Sequence, residues 1–448
     1  MSVNLAIANI ALDTAIVSRQ GFGTILFVGQ HNYFAERVRA YTSTKSMSED
    51  GIPATHPIFK AAEGAFSQTP APSNILIGRQ STDSVLSIVE DVSIGKNYSV
   101  TVSVEGESAT FDVTAGDDEG EVQVFTAIKS GIDGNAIISA EVSATLDGST
   151  LVISSLNGGW FTVTNLINIE ESFSASSETA SEVVAAIESE DDTWYYITAQ
   201  DKTPTFVKEM GSLIESKLKV YAVSLDELTV FDPIQTGTAV DLKDENLFRT
   251  YNTYHQEAKT TFPEVSRIAE AAFAVTGSIT YGNRRVAAVP VSLNGSGKPL
   301  TTTQQNKLKA INSDFFARVG SDVSSDPIIG VVGKVSSGEW LDNIVGRDNM
   351  QVDIQADFNT FLINQKNGKV AFNDKGINQV KNVLSTTLTQ YTPDGPHNFI
   401  EDTFDITVSD AVDITQAEKG SRTFKQITFT ATLTNAIHMV EITGTLSY

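Results

Sequence analysis

The chain has 448 residues, no cysteine and a formal charge of −24, with 41% apolar and 19% charged residues. Such a length calls for roughly three or four domains of about 100 to 200 residues, and the composition supports packed cores over disorder. The acidic balance repels nucleic-acid backbones and anionic membranes, and without cysteine there is neither a disulfide framework nor a thiolate metal site. No nucleic-acid and no membrane partner is therefore expected. Met1 is followed by an alternating segment without a basic region or a continuous apolar run, so the chain is expected to stay in the cytoplasm of its producing cell unless a dedicated machine exports it.

Residues 1–19 read as an N-terminal arm. In "SVNLAIANIALDTAIV", Val3, Leu5 and Ile7 alternate with polar or small residues, and no hairpin partner follows. A strand at 24–28, a helix in "HPIFKAAEGAFSQ" with Ile58, Ala62, Ala65 and Phe66 on one face, and a strand in "SNILIGRQ" make residues 20–80 a β-α-β unit, the start of an α/β domain. From 81 to 172 the pattern changes to short alternating segments, and an all-β insertion is predicted, with Asp147-Gly148 marking a two-residue hairpin turn. Residues 81–171 carry fifteen Asp or Glu against two Lys, a net charge of −13, so most of this module must face water.

The α/β pattern returns over 173–337. A helix in "SEVVAAIESEDD" leads to a strand at 194–199, then to a helix opened by Pro204 with Phe206, Met210, Leu213 and Ile214 on one face, then to a strand at 219–224. "EVSRIAEAAFAV" predicts a further helix and "NRRVAAVPVS" a further strand. Residues 338–434 form a C-terminal α+β domain. Met350, Ile354, Phe358, Phe361 and Leu362 share one helical face; Ile377, Val380, Leu384, Thr387, Leu388 and Tyr391 share another, capped by Asn373 or Asp374. Strands follow in "DTFDITVSD" and "RTFKQITFTATLT", where Ile427, Phe429 and Leu433 are expected to face the subunit's own core. Two helices over so few strands leave a sheet that wants more strands than this stretch supplies. Residues 435–448 read as a C-terminal arm, with a strand at 438–447 carrying Val440, Ile442 and Leu446 and flexible roots expected near 13–20 and 435–438. Unpaired, nearly uncharged strands at both ends are an association hazard unless another chain completes them.

Local chemistry is sparse. "GFGTIL" lacks the third glycine of a dinucleotide fingerprint and precedes its strand. "NGSGKPLT" has Ser292 where a phosphate loop needs glycine and Pro299 in the magnesium-binding hydroxyl position. "AGDDEGE" (Asp117, Asp118, Glu119, Glu121) misses calcium-loop spacing and reads as a hairpin tip. His31, His56, His255, His397 and His438 form no pair at helical spacing, and His255 reads as a strand residue satisfied by its neighbours. No catalytic residue, no cofactor and no metal is assigned; an α/β enzyme would reveal itself by perturbed carboxylates or histidines clustered at strand C-termini.

One stretch is more specific. Ser337, Gly338, Trp340, Leu341 and Asp342, then a long helix, a turn, and Asn373, Asp374, Gly376 and Ile377 opening a second helix, resemble the C-terminal region of contractile-tail sheath proteins of myophages. Upstream, 277–280 resembles the Gly-Ser-Ile-Thr region of that family and 312–316 its Asn/Asp-aromatic helix. The similarity spans roughly 180–448 plus the opening α/β segment. It implies a virion structural protein of a contractile tail, assembled in the host cytoplasm. Such a subunit polymerises in helical rings around a tail tube protein, meets baseplate and tail terminator proteins, and contracts for genome ejection. It also implies that the arms (Val3, Leu5, Ile7; Val440, Ile442, Leu446) complete the receiving sheet (Ile427, Phe429, Leu433) of neighbouring copies. Another tail or baseplate component is the alternative.

Overall fold

The computed structural model describes residues 21–156, 159–320, 326–365 and 368–440. Its described residues divide into two units: Gly23–Phe273 with Asn283–Glu339, and Ala274–Gly282 with 340–440. The nine residues Ala274–Gly282, which the sequence pattern leaves inside the α/β domain, thus belong to the C-terminal unit.

In the larger unit, β1 (Ile25–Gln30) is buried at all six positions, as an apolar strand covered on both faces must be. β2 (Val38–Tyr41) and α1 (Thr44–Glu49, capped by Ser43) precede α2 (Pro57–Phe66), where Pro57 opens the helix and the His56 imidazole accepts from the Ile58 N–H. β3 (Ile75–Gln80) then runs parallel to β1, completing the expected β-α-β.

The inserted module is β4 (Ser84–Ile88), β5 (Asn97–Val104), β6 (Glu107–Thr114), α3 (Glu121–Gly134), α4 (Ile138–Glu141), β7 (Val142–Asp147), β8 (Thr150–Ser155), β9 (Phe161–Ile167) and β10 (Ile169–Phe173). Its sheets run β10-β4-β8-β7 and β6-β5-β9. The all-β expectation is corrected by α3, whose Val124, Phe125, Ile128 and Ile132 recur at helical spacing and fill the module's core. "AGDDEGE" is accordingly no hairpin tip; it is the loop leading into α3, with the Glu119 carboxylate accepting from the Gly116 N–H. The β7–β8 turn is present one residue later than expected. Gly148 and Ser149 are its central residues, and Gly148 at φ 61 takes the first central position, where a side chain would be strained.

The chain returns through α5 (Ala180–Glu188), capped reciprocally by Thr179 and Glu182, then β11 (Tyr196–Ala199), α6 (Pro204–Glu215), β12 (Val220–Leu225), α7 (Thr238–Asp244), β13 (Thr250–Tyr254) and α8 (Pro263–Ala269). β14 is only Arg284–Arg285, because Ala288 at φ 57 and Pro290, which has no N–H, interrupt the strand expected in "NRRVAAVPVS". α9 (Thr302–Ala310) ends before the left-handed Asn312, so 314–316 belongs to β15 (Asp314–Arg318), not to the aromatic helix the resemblance implies. β16 (Ile328–Gly330) follows.

The resulting sheet has the order β14-β16-β15-β13-β12-β11-β1-β3-β2. β1, β3, β11, β12, β13 and β15 run parallel, and the strand order reverses between β1 and β11. Asp314 ties the β15 side together. Its carboxylate accepts from the N–H groups of Phe315, Val331 and Val332, from the Tyr251 hydroxyl and from Arg267 Nε at 3.1 Å, all inside the core.

In the C-terminal unit, α10 (Leu341–Ile363) starts nine residues before the first apolar position the pattern marks, and Leu362, expected inward, is 56% exposed. α11 (Asp374–Thr389) opens with Asn373 accepting from the Gly376 N–H. Only glycine fits at 376, since a Cβ would sit 2.0 Å from the Ala371 carbonyl oxygen. β17 (Ile400–Val408), α12 (Gln416–Ser421) and β18 (Ile427–Leu433) follow, and β17 and β18 pair antiparallel as a sheet of two strands.

Candidate assembly interface

A two-stranded sheet is marginal by itself. Here one face rests on the α10–α11 cluster of Met350, Leu384, Leu388 and Tyr391, with Phe404, Ile406, Ile427 and Leu433 packed against it. The cover is incomplete. Phe429, directly opposite Ile406, is 37% exposed, and Ala431 is exposed beside it. The expectation that Phe429 lies in the subunit's own core is therefore corrected: Ile427 and Leu433 reach the cluster at the strand ends, while the middle of β18 stays open. Beyond Ile427 the surface continues as an apolar groove of about 430 Å³ lined by Phe358, Leu362, Phe372 and Phe424.

Both roots of this sheet are gripped by the strap Ala274–Gly282. Before β17, His397 Nδ1 lies 2.7 Å from the Thr276 carbonyl oxygen and so carries the proton, while its ring stacks on Tyr391 at 4.2 Å. Tyr391 donates to Asp353, and Asn349 donates to the Tyr391 oxygen. Gly277, at φ 87, passes close to Phe399, where a Cβ would approach to 3.2 Å. After β18, His438 Nε2 lies 2.6 Å from Thr280 Oγ1, and its ring meets Trp340 edge-on at 4.4 Å.

Of the arm residues expected to carry assembly, Val3, Leu5, Ile7, Ile442 and Leu446 lie outside the described residues. Val440 is 71% exposed, as are Ile437 at 85% and Met439 at 75%, and residues 438–440 are not in a strand. Thr276 and His397 had no role in the sequence pattern, and His438 stood there only at the flexible root and first position of the expected arm strand. Their signal is long-range pairing, 121 and 158 residues apart, which local periodicity does not carry.

The other place to look for chemistry is the point between β1 and β11 where a doubly wound sheet takes ligands. Side chains fill it. Ile58 reaches to 2.1 Å from where a Gly29 Cβ would stand, and the Gln30 N–H donates to Gln200 Oε1. Lys202 pairs with Glu264, which also accepts from the Ser224 hydroxyl, and both charged side chains are almost wholly buried. His31 and His56 stand nearby, each using Nδ1 to accept a backbone N–H, from Tyr33 and Ile58. Burial, then the His56 charge, holds His31 well below the usual imidazole range; burial brings His56 to about 4. Both rings, with Tyr33 and Phe173 of β10, form an aromatic seam joining the inserted module to the α/β sheet. In β10, burial pushes Glu171 up to about 7 against the opposing hydrogen bond from Ser84. His255 is a buried residue just after β13, satisfied by the Pro290 carbonyl and the Glu257 N–H. Among the described residues no three His, Asp or Glu are placed to hold a metal ion, and no helix is long and apolar enough to cross a membrane.

No protein-family model matches the chain, and no curated protein does. Among solved structures it is similar to a chain in the cryo-EM structure of the anti-feeding prophage (AFP) baseplate, 6-fold symmetrised, at TM-score 0.51 and 9% identity over 100% of both chains. It also aligns with a chain of the PVC sheath complex of an extracellular contractile injection system in its contracted state, at TM-score 0.49 and 9% identity, over 100% of this chain and 98% of that one. The first likeness, at that identity, shows a shared fold along the whole length.

Proposed function

We propose that this chain is the sheath subunit of a contractile injection machine, polymerising as a helical homo-oligomer around a tube, with a structural and non-enzymatic role. The observation that carries this reading is the under-stranded β17–β18 sheet, open along both edges among the described residues, in a chain whose whole length shares its fold with a component of the AFP baseplate structure. Donated strands from neighbouring copies satisfy such edges. Five or six inter-chain hydrogen bonds at about 0.5 to 1.5 kcal/mol each, plus a few buried side chains at about 1.5 to 3 kcal/mol, make a joint of useful strength before ordering costs. Phe429 and the apolar groove offer those side chains a place. The donors in this reading are Val3, Leu5 and Ile7 at one end and Val440, Ile442 and Leu446 at the other. Its place is the tail of a phage or of a phage-derived injection device, beside tube, baseplate and terminator proteins.

The filled switch point favours a structural role over an α/β enzyme. The AFP likeness supports a second reading as a baseplate component. Negative-stain imaging of the purified protein at rising concentration separates them. Hollow tubes of regular helical pitch are expected; closed rings that never stack would favour the baseplate, and dispersed monomers at every concentration would overturn both.

A further inference from the structure

The exit from β18 is held far more firmly than an arm root needs. The Thr434 N–H donates to the Phe399 carbonyl at 3.1 Å and its hydroxyl to the Asn398 carbonyl at 3.0 Å, both just before β17. Asn435 then turns left-handed at φ 49, with its amide donating to the Leu433 carbonyl. Three residues later His438 docks on Thr280 and Trp340. The flexible root expected at 435–438 is thus pinned at three points. Across the same stretch the usual order of burial is inverted. The polar imidazole turns toward its own subunit, while Ile437, Met439 and Val440 stand 85%, 75% and 71% exposed. Three large apolar side chains left exposed around a docked histidine make solvent a poor partner for this stretch.

We propose that His438 is a positioning residue for self-assembly: by clamping onto Thr280 and Trp340 it pre-orders residues 434–438 in the free subunit and presents Ile437, Met439 and Val440 to a second copy of this chain. The inference rests on the sheath reading for the identity of the partner. Its physical content is pre-organisation. Backbone ordered before encounter loses no further freedom on binding, so a clamped root raises the rate and affinity of the joint without adding an intermolecular contact. The near absence of charge in the segment, where Glu441 is the one Asp, Glu, Lys or Arg after β18 in the sequence, fits an apolar receiving surface such as the groove beside Ile427.

The test uses the full chain in three forms, wild type, His438→Ala and Thr280→Val, with His438→Gln as the variant that keeps a hydrogen-bonding group. Amide hydrogen exchange at a concentration where the protein is monomeric should show residues 436–438 protected in wild type. Protection should fall at least about tenfold in the alanine and valine variants and be partly restored by glutamine. Light scattering should show polymer growth slowed by about tenfold or more in those two variants, with unchanged melting temperatures. Unprotected 436–438 amides in wild type would overturn the clamp. Variants that lose protection yet polymerise at the wild-type rate would overturn its positioning role while leaving the sheath reading intact. A wild type that forms no polymer would overturn the reading itself and this inference with it.

Discussion

The two units solve the same problem, how to finish a sheet, in opposite ways. The α/β sheet ends at β2 and at the two-residue β14, and its β2 edge carries Arg39 bound to Glu36 and Asp50, a charged border that discourages further pairing. Asp314 alone satisfies five donors inside it. Among the described residues the C-terminal sheet stops at two strands, borders itself with Thr and Phe429, and is followed by exposed Ile437, Met439 and Val440. In the proposed reading one unit is complete as a monomer and the other is completed by neighbouring copies. Substitutions should accordingly split: those in the α/β unit should change folding stability, and those in the C-terminal sheet should change assembly.

The largest effect expected is total loss of polymer with an intact monomer. Truncation after Asn435 should leave the melting temperature nearly unchanged, because Ile437, Met439 and Val440 bury little in their own subunit, and a synthetic 436–448 peptide should then bind the truncated protein saturably. Phe429→Asp belongs to the same class. At 37% exposure the new carboxylate stays hydrated in the monomer, so unfolding should shift by about 1 kcal/mol or less while pelleting assays show no polymer. A monomer that melts many degrees lower in either case would erase the contrast between the units.

Next in size is Asp314→Ala, which strips the fully buried Arg267 of its closest carboxylate and leaves three backbone N–H groups without their acceptor. A loss of about 3 to 5 kcal/mol in urea unfolding is expected. Its counterpart in the C-terminal unit, Asn349→Ala, removes one hydrogen bond to Tyr391 and should cost about 1 to 2 kcal/mol.

How far these differences could be read in advance depends on their range. β1, β3, α5, α6, β12 and the Asn373 cap follow from apolar periodicity and local capping, and the low number of strands among the described residues of the C-terminal unit matches the pattern of 338–434. α3 was hidden because its Val and Ile residues and flanking hairpins resemble alternating strand, although 124, 125, 128 and 132 keep a helical period. The exposure of Phe429 depends on how far α10 and α11 reach over the sheet, and the two histidine clamps depend on a strap more than a hundred residues away. Neither leaves a local trace.

An effect comparable in size to that of Asn349→Ala concerns pH and the seam of the inserted module. His31 and His56 are both depressed in the folded state, so the folded protein binds fewer protons than the unfolded chain below about 6.5, and stability falls as pH drops, the His56 part between about 6.5 and 4. Glu171, raised to about 7, acts in the opposite sense and costs stability as pH rises from about 4.5 to 7. Two histidines against one carboxyl leave a net loss on acidification. His56→Gln should flatten the slope, recovering on the order of 2 kcal/mol at pH 4.5 relative to wild type once partial solvent screening is allowed for. Urea melts from pH 7.5 to 4.5 measure it; an unchanged slope would place the acid sensitivity elsewhere.

The central claim, that the β17–β18 sheet is completed by other copies of the chain, is tested most directly by a cryo-EM map of the assembled polymer. The expected map shows added strands from neighbouring subunits hydrogen-bonded along both free edges, with Phe429 buried beneath them. A map in which polymers form while this sheet remains two-stranded and solvent-facing would contradict it.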